Sequence, residues 1–355
     1  MRTVLKLDVL LFLVLIACTN SALLAQQKDS GFFNQQSSIL HWLADNKVPA
    51  LGIGIIREGK LQQIRMYGEL QKGVPAPYNA IFNVASLTKP VVSMLTLKLI
   101  DKGEWKLDEP LAQYWIDPDV MNDPRSKKLT TRHILSHQTG FVNWRWLHPS
   151  KKLAFDFEPG SRFQYSGEGF EYLRKALEKK FGKSLENLAD SLILRQLKMH
   201  DTHFSWTQAV DEKRFAAWHD KEGKASYEIT RQITGNAADD LLTTVEDYSN
   251  FGVWVLNGAG LSASLLKEMS KPQSSIRAEH DHMGLGWEVL DGFGNNEYAI
   301  LHSGSDKGVQ TLIIMLPVTK EGLVIFTNGD NGSKLYEKLI TEFLTAGAAI
   351  MKLAH

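Results

Sequence analysis

Only one cysteine, Cys18, occurs in the chain, so no intramolecular disulfide can form and packing alone must hold the fold. An excess of either charge is missing too. The 40 basic and 40 acidic residues give a formal net charge of zero. Because the two signs are interspersed, there is no basic stripe to follow a phosphate backbone, which excludes a nucleic-acid partner. After the first residues no stretch is apolar for long enough to span a membrane as a helix. The chain also contains no Gly-x-Ser-x-Gly, the nucleophile elbow of α/β-hydrolases. The histidine pairs His133/His137 and His280/His282 lack the glutamate that a zinc-peptidase helix places between them. No metal or cofactor is implied.

What is present is enough apolar material for a large core: 43% hydrophobic residues and nine tryptophans in 355 residues. The N-terminus reads as an export signal over residues 1–25, with basic Arg2 and Lys6, an apolar run from Val9 to Ala17, and small or polar residues after it. Cys18 follows Leu15-Ile16-Ala17, which resembles the lipobox of bacterial lipoproteins. Two readings stay open. Cleavage before Cys18 would leave a lipid-anchored periplasmic or outer-membrane protein, whereas cleavage after Ala25 would leave a secreted one. Residues 26–35 read as a tether and 36–355 as the folded domain.

Along that domain, a first helix is expected at Gln36 to Asn46. Leu51-Gly-Ile-Gly-Ile-Ile56 and Leu61 to Tyr67 read as two strands joined by a tight turn at Gly59. From Ser86 to about Leu265 helical patterns dominate, including Glu168–Phe181 and Leu185–Leu197. Strand-like runs return at Gly286–Val289, Tyr298–His302, Gln310–Leu316 and Gly322–Thr327, and a helix from Ser333 to Ala346 is expected to end the chain. Strands at both ends with helices between them imply an α/β fold. Its antiparallel sheet is built from N- and C-terminal segments and flanked by helices, with a mainly helical lobe, about 86–265, inserted between.

Ser86-Leu-Thr-Lys89 is the stretch that carries chemistry. One helical turn brings Ser86 and Lys89 to the same face, and Pro90 is tolerated only in a first turn, which puts the helix start near Ser86. The following Val91, Val92, Met94, Leu95, Leu97, Leu99 and Ile100 make the helix apolar on nearly every side. Desolvation there favours the uncharged amine, the form of lysine that can take a proton from a serine hydroxyl. Two later stretches offer partners. Tyr165-Ser166-Gly167 stands at a loop-to-helix junction, where a phenol can point into a cleft. His302-Ser303-Gly304-Ser305 ends an apolar strand, with His302 and Gly304 on one face and glycine allowing a ligand close to the backbone.

In this order, Ser86-x-x-Lys89, Tyr165-Ser166-Gly167 and His302-Ser303-Gly304 resemble the three motifs of penicillin-recognising serine hydrolases. The likeness is to the branch of class C β-lactamases, D-Ala-D-Ala carboxypeptidases and family VIII carboxylesterases. Phe82 to Lys89, Thr131 to Gly140, Phe157-Glu-Pro-Gly160, Leu241 to Asp247 and Gly284-Leu-Gly-Trp287 are similar to the same branch, so the resemblance spans about Gln36 to Ala346. It implies a β-lactamase/transpeptidase-like fold and an acyl-enzyme on Ser86, with Lys89 and Tyr165 as the base network. It also implies an oxyanion site at the amides of Ser86 and Ser305, with Ser303 and Gly304 lining the substrate edge.

Two positions depart from the family pattern. His302 stands where many members have lysine. It is expected to close the proton network or to bind a substrate carboxylate, more weakly as pH rises. Gly167 stands where β-lactamases usually have an asparagine that bonds the substrate amide, which argues against efficient β-lactam hydrolysis. The expected partner is a small-molecule ester, amide or peptide. The remaining readings are a D-Ala-D-Ala carboxypeptidase, a weak β-lactamase, and a catalytically silent sensor on the same fold. Trp144 and Trp146, after the Thr139-Gly140 turn, are candidates for lining the cleft or for the core.

Overall fold

The computed structural model describes residues 31–277, 279–294 and 297–354. Residues 1–25, read above as an export signal with Cys18, and the first half of the 26–35 segment lie outside the described residues. Helix α1 (Gln36–Asn46) leads into strands β1 (Ala50–Arg57) and β2 (Lys60–Gln71). They form a hairpin whose turn takes Glu58 and Gly59 to φ of 50° and 68°, the paired left-handed geometry that matches strand twist. Short strands β3 (Val74–Pro75) and β4 (Ile81–Asn83) precede helix α2 (Thr88–Asp101). After helices α3 (Thr131–Leu135) and α4 (Gly167–Phe181) come β5 (Leu242–Thr244), β6 (Ser274–Ser275), β7 (Asp281–Met283) and β8 (Glu288–Leu290). The last strands are β9 (Ala299–Asp306), β10 (Val309–Leu316) and β11 (Glu321–Thr327).

Nine strands form one sheet in the order β3-β2-β1-β11-β10-β9-β8-β7-β6, and its pairings are antiparallel. The first and last long strands are neighbours, Leu51 opposite Thr327 through Ile56 opposite Gly322, as expected from strand patterns at both ends of the chain. Strands β10 and β11 are buried on both faces, so their sequences are nearly unbroken apolar runs. One face meets the helical lobe through Ile313, Met315, Val324 and Phe326. The other meets α1 and the C-terminal helices through Ile53, Leu312, Ile314 and Ile325.

The glycines of β1 explain how the lobe lies against the sheet. A Cβ on Gly52 would stand 2.5 Å from Val245 Cγ2, and one on Gly54 would stand 2.0 Å from Ser249 Oγ. The helix Val245–Leu256 therefore packs directly on the strand backbone, and any side chain at these positions would push it away.

Two expectations are corrected. Residues 198–241 are largely irregular, with only a short 3₁₀ turn at Glu212–Arg214. Polar side chains there bond the backbone and compete with helix: Asp220 Oδ1 accepts from the amides of Glu222 and Lys224, and Asp247 accepts from the amide of Asp201. At the C-terminus the α-helix covers Tyr336–Phe343, after a 3₁₀ turn at Gly332–Leu335, and a second helix, Gly347–Ala354, follows. The break falls where a Cβ on Gly347 would lie 2.1 Å from the Ile340 carbonyl oxygen. No helix among the described residues is long and apolar enough to cross a membrane.

The contact at Gly54 gives a stability test. Gly54→Ala should cost about 1–3 kcal/mol through overpacking. Adding Ser249→Ala, which removes a buried hydroxyl without a hydrogen-bond partner among the described residues, should recover most of that loss; urea unfolding of the single and double variants measures both.

Candidate active site

Strand β4 delivers the chain to a 3₁₀ turn, Ala85–Leu87, that carries Ser86. Asn83 Oδ1 accepts from the Ala85 amide at 2.8 Å, and Ala85 takes φ of 47°, a costly region for a residue with a Cβ. The turn is tied down on the far side. Thr88 Oγ1 donates to the Ala85 carbonyl at 2.7 Å and accepts from the Leu241 amide at 3.1 Å, while the Val84 amide donates to the Leu241 carbonyl at 3.0 Å. Helix α2 then starts at Thr88 with Pro90 in its first turn, as expected from proline's missing amide hydrogen.

Lys89 is 1% exposed. Its Nζ lies 2.9 Å from Ser86 Oγ and donates to the Ala238 carbonyl at 2.7 Å, so both its hydrogen-bond partners are uncharged oxygens. Aromatic faces close the remaining side, with Nζ 4.8 Å from the Tyr165 ring centre and 5.8 Å from that of Phe170. Ser86, Lys89 and Tyr165, separated by up to 79 positions in the sequence, are thus brought to one place.

Tyr165 is held from behind by a residue that the sequence reading weighed only as a metal ligand. His137 stacks on its ring at 4.2 Å and 29°. Its Nδ1 accepts from the Ser166 amide at 3.0 Å, which leaves the proton of the neutral ring on Nε2, a buried atom without a partner among the described residues. Burial, then Lys89 and His302, push the His137 pKa well below its ordinary value. Ser166 caps α4, its Oγ accepting from the Gly169 amide at 3.1 Å. His133 is engaged in the cap of α3, and His280 Nδ1 lies 2.8 Å from Asp291.

β8 pairs with β9 only from Ala299 to Leu301, so residues 302–306 present a free strand edge to the Ser86 turn. Gly304 is required there. A Cβ on it would stand 2.3 Å from the Val84 carbonyl oxygen and 3.2 Å from the Ser86 amide nitrogen. Ser305 lines the same cavity as Ser86 and its Oγ accepts from Gln310 Nε2 at 2.8 Å, whereas Ser303 is exposed on β9. His302 is buried, its ring centre 6.3 Å from that of Tyr165. Its Nδ1 lies 2.8 Å from the Ser303 carbonyl oxygen, which can only accept, so Nδ1 carries the proton and Nε2 the lone pair. Burial, then Lys89, push its pKa down to about 3. The expectation that His302 binds a carboxylate more weakly as pH rises is thereby corrected: a ring this desolvated beside an amine is neutral throughout the ordinary pH range.

The cavity at Ser86 has a volume of about 750 Å³. The space that an asparagine side chain would take at Gly167 is already filled: a Cβ there would lie 2.9 Å from the Trp144 ring and 3.1 Å from Asn143 Oδ1. Asn143 Oδ1 accepts from the Gly167 amide at 2.8 Å, and the residue lines the cavity. A carboxamide therefore reaches this spot from a neighbouring loop, which the three motifs gave no means of finding. Trp144 and Trp146 stack at 5.0 Å and 7° and line the cleft. Between them, Arg145 is fixed by Glu168, Asp117 and Asp119, which anchors the loop to the start of α4.

His302 leaves a signature in stability. Its pKa is near 6.5 when unfolded and about 3 when folded, so between those values the unfolded chain binds more protons and stability falls with falling pH. His302→Asn should remove this part of the slope, narrowing the difference in urea midpoint between pH 7 and pH 5.

The family model described as Beta-lactamase matches residues 30–344. Among curated relatives, Protein flp of Staphylococcus aureus (strain N315) is 23% identical over 334 residues, covering 86% of this chain. This chain spans 65% of that protein's length. The D-alanyl-D-alanine-carboxypeptidase/endopeptidase AmpH of Escherichia coli (strain K12) is 24% identical over 329 residues, covering 81% of this chain and 83% of its own. Among solved structures, D-amino acid amidase from Ochrobactrum anthropi SV3, complexed with L-phenylalanine, superposes with a TM-score of 0.71 at 21% identity. The superposition covers 92% of this chain and 99% of the amidase, a likeness of fold. With the family model matched over nearly all of the described residues, the chain belongs to the beta-lactamase family.

Proposed function

We propose that the chain is an exported serine hydrolase that works through an acyl-enzyme on Ser86, with an ester or a small peptide-like amide as substrate. The observation that carries this reading is the 2.9 Å contact between Ser86 Oγ and the Nζ of a lysine that is 1% exposed. Lys89 in its uncharged form takes the hydroxyl proton while Oγ bonds to the substrate carbonyl carbon. The resulting oxyanion is held by the amides of Ser86 and Ser305. Collapse expels the alcohol or amine, which leaves with the proton, and water then hydrolyses the Ser86 ester by the reverse relay. Tyr165 shares the proton transfer, and His302, with its lone pair on Nε2, closes the proton network.

A second reading, a D-Ala-D-Ala carboxypeptidase, is favoured by the name of the Escherichia coli relative. Weak β-lactam turnover fits a cleft in which Asn143, and not residue 167, offers the carboxamide. Export rests on the sequence of residues 1–25. Mass spectrometry of the mature N-terminus distinguishes a lipidated Cys18 from a start at Gln26.

Fluorophosphonate labelling and a panel of p-nitrophenyl esters, D-Ala-D-Ala peptides and nitrocefin test the reading. Ser86→Ala should abolish both adduct and turnover. Lys89→Met should lower kcat by about 100-fold or more while far-UV dichroism is unchanged, with Tyr165→Phe less severe. A lasting adduct without turnover points instead to a sensor, no adduct to a silent fold, and nitrocefin turnover matching the best ester overturns the substrate class.

A further inference from the structure

We propose that Asn83 is a positioning residue whose carboxamide clamps the turn carrying Ser86 to the segment that holds Lys89, keeping hydroxyl and amine at their working separation. The proposal rests on the reading of Ser86 as the acylated residue and adds to it a side chain outside the lining of the cavity.

The amine is shared between two pieces of chain. Lys89 Nζ lies 2.9 Å from Ser86 Oγ and donates to the Ala238 carbonyl at 2.7 Å, so its place depends on how the Ser86 turn sits against residues 238–241. Each piece contains a left-handed residue that is not glycine. Ala85, just before Ser86, has φ of 47°, and Asp240, two residues after Ala238, has φ of 70°. Such backbone is unfavourable for a residue with a Cβ and persists where neighbours hold it.

One side chain reaches both. Asn83 Oδ1 accepts from the Ala85 amide at 2.8 Å, and its Nδ2 donates to Asp240 Oδ1 at 3.3 Å. The circuit is thereby closed: Asn83 to the Ser86 turn, Ser86 to Lys89, Lys89 to Ala238, and Asp240 back to Asn83. An amide hydrogen on one side needs an acceptor and a carboxylate on the other needs a donor, two roles that a carboxamide combines. Asn83 is 6% exposed, so water cannot readily replace either bond. Burial raises the Asp240 carboxyl, and the bond from Asn83 opposes that rise by favouring the charged form.

The remaining ties fasten neighbouring residues instead. The Val84 amide and Thr88 Oγ1 bond Leu241, and Thr311 Oγ1 donates to the Val84 carbonyl at 2.9 Å. They leave the Ala85 amide and the Asp240 carboxylate to Asn83. Without the clamp both strained residues are free to relax, and Ser86 and the Ala238 carbonyl shift independently about the amine.

The rate of fluorophosphonate labelling of Ser86, measured across a double-variant cycle, tests the clamp. Asn83→Asp keeps an acceptor for the Ala85 amide but sets two carboxylates against each other, and should slow labelling about 10-fold or more. Combined with Asp240→Asn, it regains a donor from the opposite side. That pair should label within about threefold of Asp240→Asn alone, since the contact is restored with its ends exchanged. If Asn83→Asp by itself unfolds, Asn83→Leu, close in size and supplying neither bond, should show the same slowing. With a p-nitrophenyl ester the loss should fall on kcat while KM stays within about twofold, because the clamp acts on the nucleophile and not on substrate binding. Parental labelling rates in Asn83→Asp and Asn83→Leu, a double variant that does not recover, or a loss confined to KM overturns the clamp alone. A parent protein that takes no label overturns the acyl-enzyme reading, and the clamp falls with it.

Discussion

The arrangement depends on keeping one amine out of water beside one hydroxyl. Burying a lysine head group is unfavourable unless its donors find oxygens and its surroundings tolerate the charge it gains or gives up. Here the donors go to Ser86 and to the Ala238 carbonyl, and the rings of Tyr165 and Phe170 cover the rest. Each of these groups comes from a different part of the chain. Helix α2 supplies the lysine, the irregular 198–241 segment the carbonyl, and the start of α4 the rings. The Ser86 turn, the 198–241 segment and the start of α4 must therefore all be in place before the amine is satisfied, which couples the site to the packing of the helical lobe.

Backbone approach is the second constraint, and glycine meets it at several places for the same reason. At Gly52 and Gly54 a helix rests on the strand; at Gly304 the strand edge rests on the turn that carries the nucleophile. In each case the facing atoms stand closer than a Cβ allows. The strain at Ala85 belongs with these contacts: the turn is bent into a left-handed residue and held by Asn83 and Thr88. The geometry is thus fixed by rigid neighbours and not by the turn's own preference.

Much of this was readable beforehand. The strand patterns at both ends foretold a sheet closed by β1 on β11, because burial of that sheet on both faces forces unbroken apolar runs. Ser86, Lys89, Tyr165 and His302 were nameable because their three motifs, taken together and in order, resemble those of penicillin-recognising serine hydrolases; local spacing by itself singles out none of them. What stayed hidden were contacts across loops. Asn143 occupies the place left vacant by Gly167, and His137 supports Tyr165 from behind; neither carries a spacing signal that separates it from an ordinary polar residue. The 198–241 segment misled for a related reason. Its polar side chains bond local backbone, and periodicity does not register such competition. Reading His302 as a weakly basic group required knowing its burial, which one sequence position does not reveal.

Titratable groups around Lys89 sort by direction. His137 and His302 stand on its buried side and are kept neutral by burial and by the amine itself. Asp239 and Asp240 line the cavity and are raised, both chiefly by burial, with Asp240 adding to the rise of Asp239. In the scaffold, by contrast, Arg132, Arg145 and Arg214 are held charged by carboxylates that match them. Matching is not universal in the scaffold, since burial also raises Asp247 to about 6 with only Thr202 and the Asp201 amide bonded to it among the described residues; around Lys89, however, several shifted groups gather in one cleft, as they do at functional sites. The charge about the amine is therefore asymmetric: neutral rings stand behind it, while Glu228, Asp239, Asp240 and Asp306 line the cavity against Lys307 alone, which makes the potential in the cleft negative.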